Sequence, residues 1–160
     1  MKTSIYKNWL EKDLYEYLKN MFLYKTPHFF SQKSLETLKD DSCFYITEFT
    51  SENIMIDYLR SKLCKLINKP LMFHRTYINV QHPGMDGTFH VDEGNLTFIY
   101  MVKGEGDLEI KNEKIIKFEE NKLIIFDAQK KHKAYAPKKG VRISLAFKTT
   151  TVKNNDKKRM

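Results

Sequence analysis

His90 and Asp92 stand two residues apart in the run GTFHVDEG (87–94), among strand-forming neighbours and between two glycines. Alternate side chains of an extended chain share a face, so His90 and Asp92 point together while Val91 points away. Forty residues further on, NKLIIFDAQKKHKAYAP carries an apolar strand into a polar turn and delivers His132. Two imidazoles and one carboxylate make a facial triad, a donor set that suits a divalent first-row metal such as non-haem Fe(II) and leaves three coordination positions open. Two plainer readings stand beside it. H-x-D arises by chance as a surface pair on an edge strand, and His132 among Lys130, Lys131 and Lys133 has the setting of an exposed turn histidine.

A second group of polar residues lies on strands. In GVRISLAFKTT (140–150), alternation puts Val141, Ile143, Leu145 and Phe147 on one side and Arg142, Ser144 and Ala146 on the other. A guanidinium turned into a barrel needs an anion to meet it, and small neighbours leave room for one. On a one-sided sheet the same pattern would leave Arg142 in water. Arg142 follows His132 by ten residues, about one strand and a turn. A metal at one end of a barrel and an arginine deeper inside would hold a ligand with a carboxylate at each end. Tyr77, Asn79 and Gln81 share one face of RTYINVQ (75–81).

The elements that must position these residues fall into two halves. Residues 11–24 place Leu14, Tyr17, Leu18, Met21 and Phe22 at helical spacing, and Pro27 closes the segment. A second helix is expected over 52–67, with Ile54, Tyr58, Leu59, Leu63, Leu66 and Ile67 on one side and Ser51 as cap. Both stripes are packing faces, expected on the outside of a sheet and supplying no metal ligand. After Pro70, β-rich runs at 71–81, 96–102, 107–110, 114–117, 122–126, 132–136 and 141–148 alternate with turns such as HPGMDG, KGEGD and APKKG. KGEGD has two glycines but opens no helix, so it reads as a hairpin and not a phosphate loop. The class is α+β, helices first and an antiparallel sandwich or barrel after them. One domain is expected over 1–150, helical over 1–70 and β over 71–150, followed by a basic tail at 151–160.

Length and composition agree with one soluble domain: 160 residues, 41% hydrophobic, 13% aromatic. No apolar run approaches the ~18 residues of a membrane span. Glu11 and Asp13 interrupt the first residues before a signal peptide could develop, so a cytoplasmic location is expected. Cys43 and Cys64 are too isolated for a disulfide framework or a thiolate zinc site. The net charge of +8 admits an acidic partner, but 24 of the 28 basic residues are lysines, a solvated surface more than a set of bidentate phosphate contacts.

The series His90-x-Asp92, His132, Arg142-x-Ser144, in its order and spacing, resembles the Fe(II)- and 2-oxoglutarate-dependent dioxygenases over residues 75–148. Within them the region looks most like the prolyl 4-hydroxylase type, including small microbial and phage members. RTYINVQHPGMDGTFHVD resembles the strand that leads through a P-G turn into the metal motif, and LTFIYMV the strand after it. The resemblance implies a double-stranded β-helix (a cupin-like jelly roll) with N-terminal supporting helices. It implies Fe(II) on His90, Asp92 and His132, and 2-oxoglutarate anchored by Arg142, with Tyr77, Asn79 and Ser144 as further contacts. O2 is the co-reactant and ascorbate an optional reductant. The implied activity is hydroxylation of a C–H bond, in the first place of a prolyl residue in a peptide or protein, as 2-oxoglutarate is decarboxylated to succinate. The chain departs from the type where Met101 follows Tyr100 in place of a second tyrosine, where arginine replaces the lysine of collagen-type enzymes, and where a G-G strand is reduced to GEGDLEI. With Met101 unable to donate, Arg142 would turn to Ser144, Tyr77 or water. Arg142-x-Ser144-x-Ala146-Phe147-Lys148 also resembles, faintly, a strand of nucleic-acid demethylases. A nucleic-acid oxygenase and a non-catalytic barrel module are the alternatives.

Overall fold

The structure is a computed structural model that describes residues 2–32, 43–50 and 52–152; the proposed cap Ser51 and the tail from 153 lie outside them. Among the described residues ten strands form two facing sheets. The larger has the order β1 (Ser4–Tyr6), β8 (Lys122–Asp127), β5 (Leu96–Lys103), β10 (Arg142–Thr151), β4 (Leu71–Gln81), β3 (Phe44–Glu48) and β2 (Phe29–Gln32). The smaller runs β7 (Lys114–Ile116), β6 (Leu108–Ile110), β9 (His132–Ala134). Residues 87–90 extend it beside β9 through Gly87 N–H to Ala134 O (2.9 Å) and a reciprocal bridge between His90 and His132. From residue 71 onward the chain passes back and forth between the two sheets, turning back within the small sheet only at the β6–β7 pair. That winding is the double-stranded β-helix expected from the resemblance, in an α+β chain.

Two apolar layers result from strand alternation. Ile143, Leu145 and Phe147 of β10, with Ile78, Val80, Phe98, Tyr100, Leu123 and Ile125, face the helices. Their alternates Tyr77, Ile99, Met101, Ile124, Phe126 and Ala146 face the small sheet and meet Leu108, Ile110 and Ile116. The strand carrying Arg142 therefore turns its apolar side to the helices and its polar side between the sheets, as its sequence pattern predicts.

Helix α1 spans Lys12–Asn20 and continues as a π-helical turn over Met21–Lys25; α2 spans Ile54–Ile67. Both pack on the outer face of the large sheet, and no residue of either belongs to the metal-binding cluster found among the described residues. Their buried faces are rotated from the expected ones. Tyr15, Leu18 and Phe22 are buried while Tyr17 is exposed; Ile56, Leu59 and Leu63 are buried while Ile54 and Tyr58 are exposed. Asn53 caps α2, its side chain accepting from Ile56 N–H at 3.1 Å. The left-handed Asn68 ends it before Pro70.

Two expectations need correction. The first 70 residues are not only helical, since β1, β2 and β3 widen the large sheet at both edges. KGEGD is no hairpin, since β5 and β6 lie in different sheets and the segment is a corner between them. Gly106 there has φ +109°, and a Cβ on it would stand 2.3 Å from Tyr135 O and 3.0 Å from Arg142 Cδ. The corner is glycine because another backbone and Arg142 pass so closely. Strand β10 also runs beyond 148 to Thr151, paired with Leu71. No helix among the described residues is long and apolar enough to cross a membrane.

Candidate metal centre

The bridge between residues 87–90 and β9 brings the two histidines together. His90 N–H donates to His132 O (3.1 Å) and His132 N–H to His90 O (2.9 Å), which puts both rings on one face with centroids 4.5 Å apart. Each ring is oriented by its own strand. His90 Nδ1 lies 2.8 Å from Thr88 O and His132 Nδ1 2.9 Å from Lys130 O. A carbonyl only accepts, so in each ring Nδ1 carries the proton and Nε2 is left with its lone pair, the tautomer that binds metals.

Both Nε2 atoms face Asp92, at 3.5 Å from Oδ1 for His90 and 3.3 Å from Oδ2 for His132. Thr97 Oγ1 donates to Oδ2 at 2.7 Å and fixes the carboxylate. One ligand atom from each of His90, Asp92 and His132 lies within 4.8 Å of the others, and Asp92 and His132 are buried. Burial raises the Asp92 pKa, but His132, His90 and Lys148 outweigh it and hold the group well below the usual carboxylate range. Two imidazole lone pairs and a carboxylate that converge out of water repel one another unless a cation joins them, either protons on Nε2, through which the histidines lower Asp92, or a metal in their place. This donor set fits a divalent first-row metal.

Arg142 is 1% exposed and is the largest fully buried side chain among the described residues. Its Nε donates to Gly106 O (3.0 Å), and Nη1 to Gln81 Oε1 (2.8 Å) and Ser144 Oγ (2.9 Å). Nη2 is buried with no hydrogen-bond partner, and Oδ1 of Asn79 is likewise buried and unpartnered. Burial pushes the guanidinium down to about 10, with Asp107 only partly opposing. A buried cation only partly balanced, lining a cavity with a donor to spare, has the chemistry to take an anion.

Seven residues singled out from sequence line that one cavity: His90, Asp92, His132, Arg142, Ser144, Tyr77 and Asn79, together with Ile99, Leu108 and Ala134. The roles differ in two respects. Tyr77 turns to Lys148 and Arg75, which lie 5.3 and 4.6 Å from its ring centre, and Gln81 joins Ser144 on Arg142. Sequence reasoning put Gln81 on the face of Tyr77 and Asn79 without giving it a role, and missed Thr97, Gly106 and Lys148 as parts of the site. Continuing the alternation of β10 by one step would have found Lys148.

No protein-family model matches the chain, and no curated protein matches it in sequence. Solved structures do. The viral collagen prolyl hydroxylase of Paramecium Bursaria Chlorella virus-1, in its 2-oxoglutarate complex, aligns at a TM-score of 0.71 and 16% identity over 93% of this chain and 96% of that one. A Trichoplax adhaerens prolyl hydroxylase in complex with a hypoxia-inducible-factor peptide fragment aligns at 0.70 and 16%, over 92% and 82%. A 2OG-Fe(II) oxygenase family oxidoreductase of Burkholderia pseudomallei aligns at 0.69 and 10%, over 92% and 84%. With the two sheets and the His-Asp-His cluster, these similarities establish that the chain has the fold of the 2-oxoglutarate–Fe(II) oxygenases, prolyl hydroxylases among them.

Proposed function

We propose that residues 1–150 form one Fe(II)- and 2-oxoglutarate-dependent dioxygenase unit that hydroxylates a C–H bond, in the first place of a prolyl residue in a peptide or protein. The observation that carries this is a single cavity lined by three converging metal donors and by a buried arginine with an unused donor. Fe(II) and 2-oxoglutarate, when bound, supply O2-dependent hydroxylation coupled to release of succinate and carbon dioxide.

The chain supplies placement. His90, Asp92 and His132 are the ligands, with both rings held as Nδ1–H tautomers by Thr88 O and Lys130 O. Arg142 Nη2 takes the distal carboxylate, and the Ser144 hydroxyl, which accepts from Nη1, has its own hydrogen free to donate to the same group. Asn79 and Tyr77 flank the cosubstrate. Ile99, Leu108 and Ala134 give the cavity an apolar wall, and a low-dielectric wall strengthens the charge-assisted bonds. The prolyl assignment is supported by the prolyl hydroxylases among the similar structures, one of them in complex with a peptide.

The test is incubation with Fe(II), ascorbate, 2-oxoglutarate and a set of proline-containing peptides and oligonucleotides. Succinate should form together with a peptide product heavier by one oxygen. Oxidised oligonucleotide with untouched peptide would move the substrate to nucleic acid. A chain that binds metal and 2-oxoglutarate but forms no succinate with any probe would favour a binding module.

A further inference from the structure

The polar row of β10 does not end at the proposed 2-oxoglutarate pocket. Arg142, Ser144, Ala146 and Lys148 alternate along one face, and six residues at about 3.3 Å each put Lys148 about 20 Å along the strand from Arg142. Lys148 is thus at the opposite end of the row, and it reaches back to the cluster. Its Nζ lies 2.8 Å from Oδ1 of Asp92, with 13% of the side chain exposed. The neighbouring charges are already committed. Arg75, opposite Lys148 on β4, holds Glu48 through two bonds of 2.8 and 3.1 Å. Asp107, beside Arg142, is taken by Lys117 at 2.6 Å.

Without a metal, Asp92 balances Lys148. Loading changes that balance, and here the inference depends on the Fe(II)/2-oxoglutarate reading of the site. The Asp92 carboxylate, the dication, the Arg142 cation and the 2-oxoglutarate dianion sum to neutrality among themselves. Lys148 is then one positive charge in excess, largely buried, with the electron-rich Tyr77 beside it and Asp92 shared with the metal. A buried ion needs a counter-ion. We propose that the substrate brings it: a carboxylate close to the oxidised carbon, seated on Lys148. A single surplus charge on a single ammonium matches a monoanion better than a phosphate dianion. For a prolyl peptide this means an acidic residue next to the proline.

The test uses wild type, K148M and K148R, each loaded with Mn(II) in place of Fe(II) and with 2-oxoglutarate, both bindings being measured first by calorimetry. Methyl-proton relaxation of acetate, methylphosphonate and acetamide then reports which probe sits near the paramagnetic ion. Wild type should enhance acetate relaxation about fivefold or more over acetamide and over methylphosphonate. K148R should keep that preference and K148M lose it. A preference for methylphosphonate that vanishes in K148M would overturn the carboxylate assignment. Acetate enhancement that survives in K148M, or equals that of acetamide in wild type, would overturn the proposal while leaving the metal site intact. A wild-type chain that binds no Mn(II) or no 2-oxoglutarate would refute the reading of the site, and the surplus charge with it.

Discussion

Replacement of Arg142 by methionine separates a ligand-binding arginine from a structural one. The guanidinium is 1% exposed and pushed down to about 10 by burial. That lies two to three powers of ten below an ordinary arginine, so its charged form is disfavoured in the folded chain by on the order of 3 kcal/mol. Its three hydrogen bonds to Gly106, Gln81 and Ser144 offset part of this, and Nη2 remains without a partner. An incoming carboxylate recovers about 1.5–3 kcal/mol as a charge-assisted pair, so Arg142→Met should weaken 2-oxoglutarate binding about tenfold to a hundredfold or more. Arg142→Lys should recover part of that, since an ammonium cannot copy the planar fork. Stability without ligand should fall by less than about 1 kcal/mol, because the lost hydrogen bonds are offset by removal of an uncompensated charge. The assays are calorimetric titration of 2-oxoglutarate into Mn(II)-loaded protein and urea unfolding of the metal-free chain. An unchanged 2-oxoglutarate dissociation constant in Arg142→Met would refute the reasoning, as would a collapse of the fold with binding retained in Arg142→Lys.

Asn79→Leu removes a buried unpartnered carbonyl, so urea unfolding should show a fold no less stable than wild type, while 2-oxoglutarate affinity drops about fivefold or more. Gly106→Ala would place a methyl 2.3 Å from Tyr135 O at a positive φ, and a loss above about 2 kcal/mol is expected by thermal unfolding, with weaker 2-oxoglutarate binding because Arg142 packs on the same atom. Burial raises the Glu120 pKa, but the Tyr15 hydroxyl, Gly104 N–H and Lys19 outweigh it and lower the group. A carboxylate lowered in the folded state contributes stability above its unfolded pKa of about 4.3 and loses it as pH falls through the folded value. The stability gap between wild type and Glu120→Gln, measured by urea unfolding, should therefore be present at neutral pH and close in acid.

What could be read from the sequence was local. Alternation along 71–81 and 141–148, the turns between strands and the H-x-D spacing each lie within one element, and the structure gathers all seven expected site residues around one cavity. What could not be read depends on partners far along the chain. β1 has three residues, and only its pairing with Leu123–Ile125 makes Ser4–Tyr6 a strand. The corner at Gly104 and Gly106 has the composition of a hairpin, but carbonyls of Val141 and Tyr135, some 30 residues away, set its requirement for glycine. The helix faces were misplaced by about one residue, because Tyr15 is drawn inward by Glu120 and Val102 O while Tyr17 has no such partner on its side. Lys148 was hidden by a similar effect. Lysine ordinarily points to water, and Asp92 and Tyr77, brought from other parts of the chain, turn Lys148 inward.

The central claim is that His90, Asp92 and His132 hold Fe(II) in the cavity where Arg142 holds 2-oxoglutarate. It is tested most directly by adding 2-oxoglutarate without oxygen to the Fe(II)-loaded chain and recording the visible charge-transfer absorption that appears when the keto acid chelates the metal. Wild type should bind one Fe(II) and develop the band with one equivalent of 2-oxoglutarate, Asp92→Ala should bind neither, and Arg142→Met should need about tenfold or more 2-oxoglutarate to reach the same band. A wild-type chain that binds no Fe(II), or an Asp92→Ala chain that gives the same band, would contradict the account.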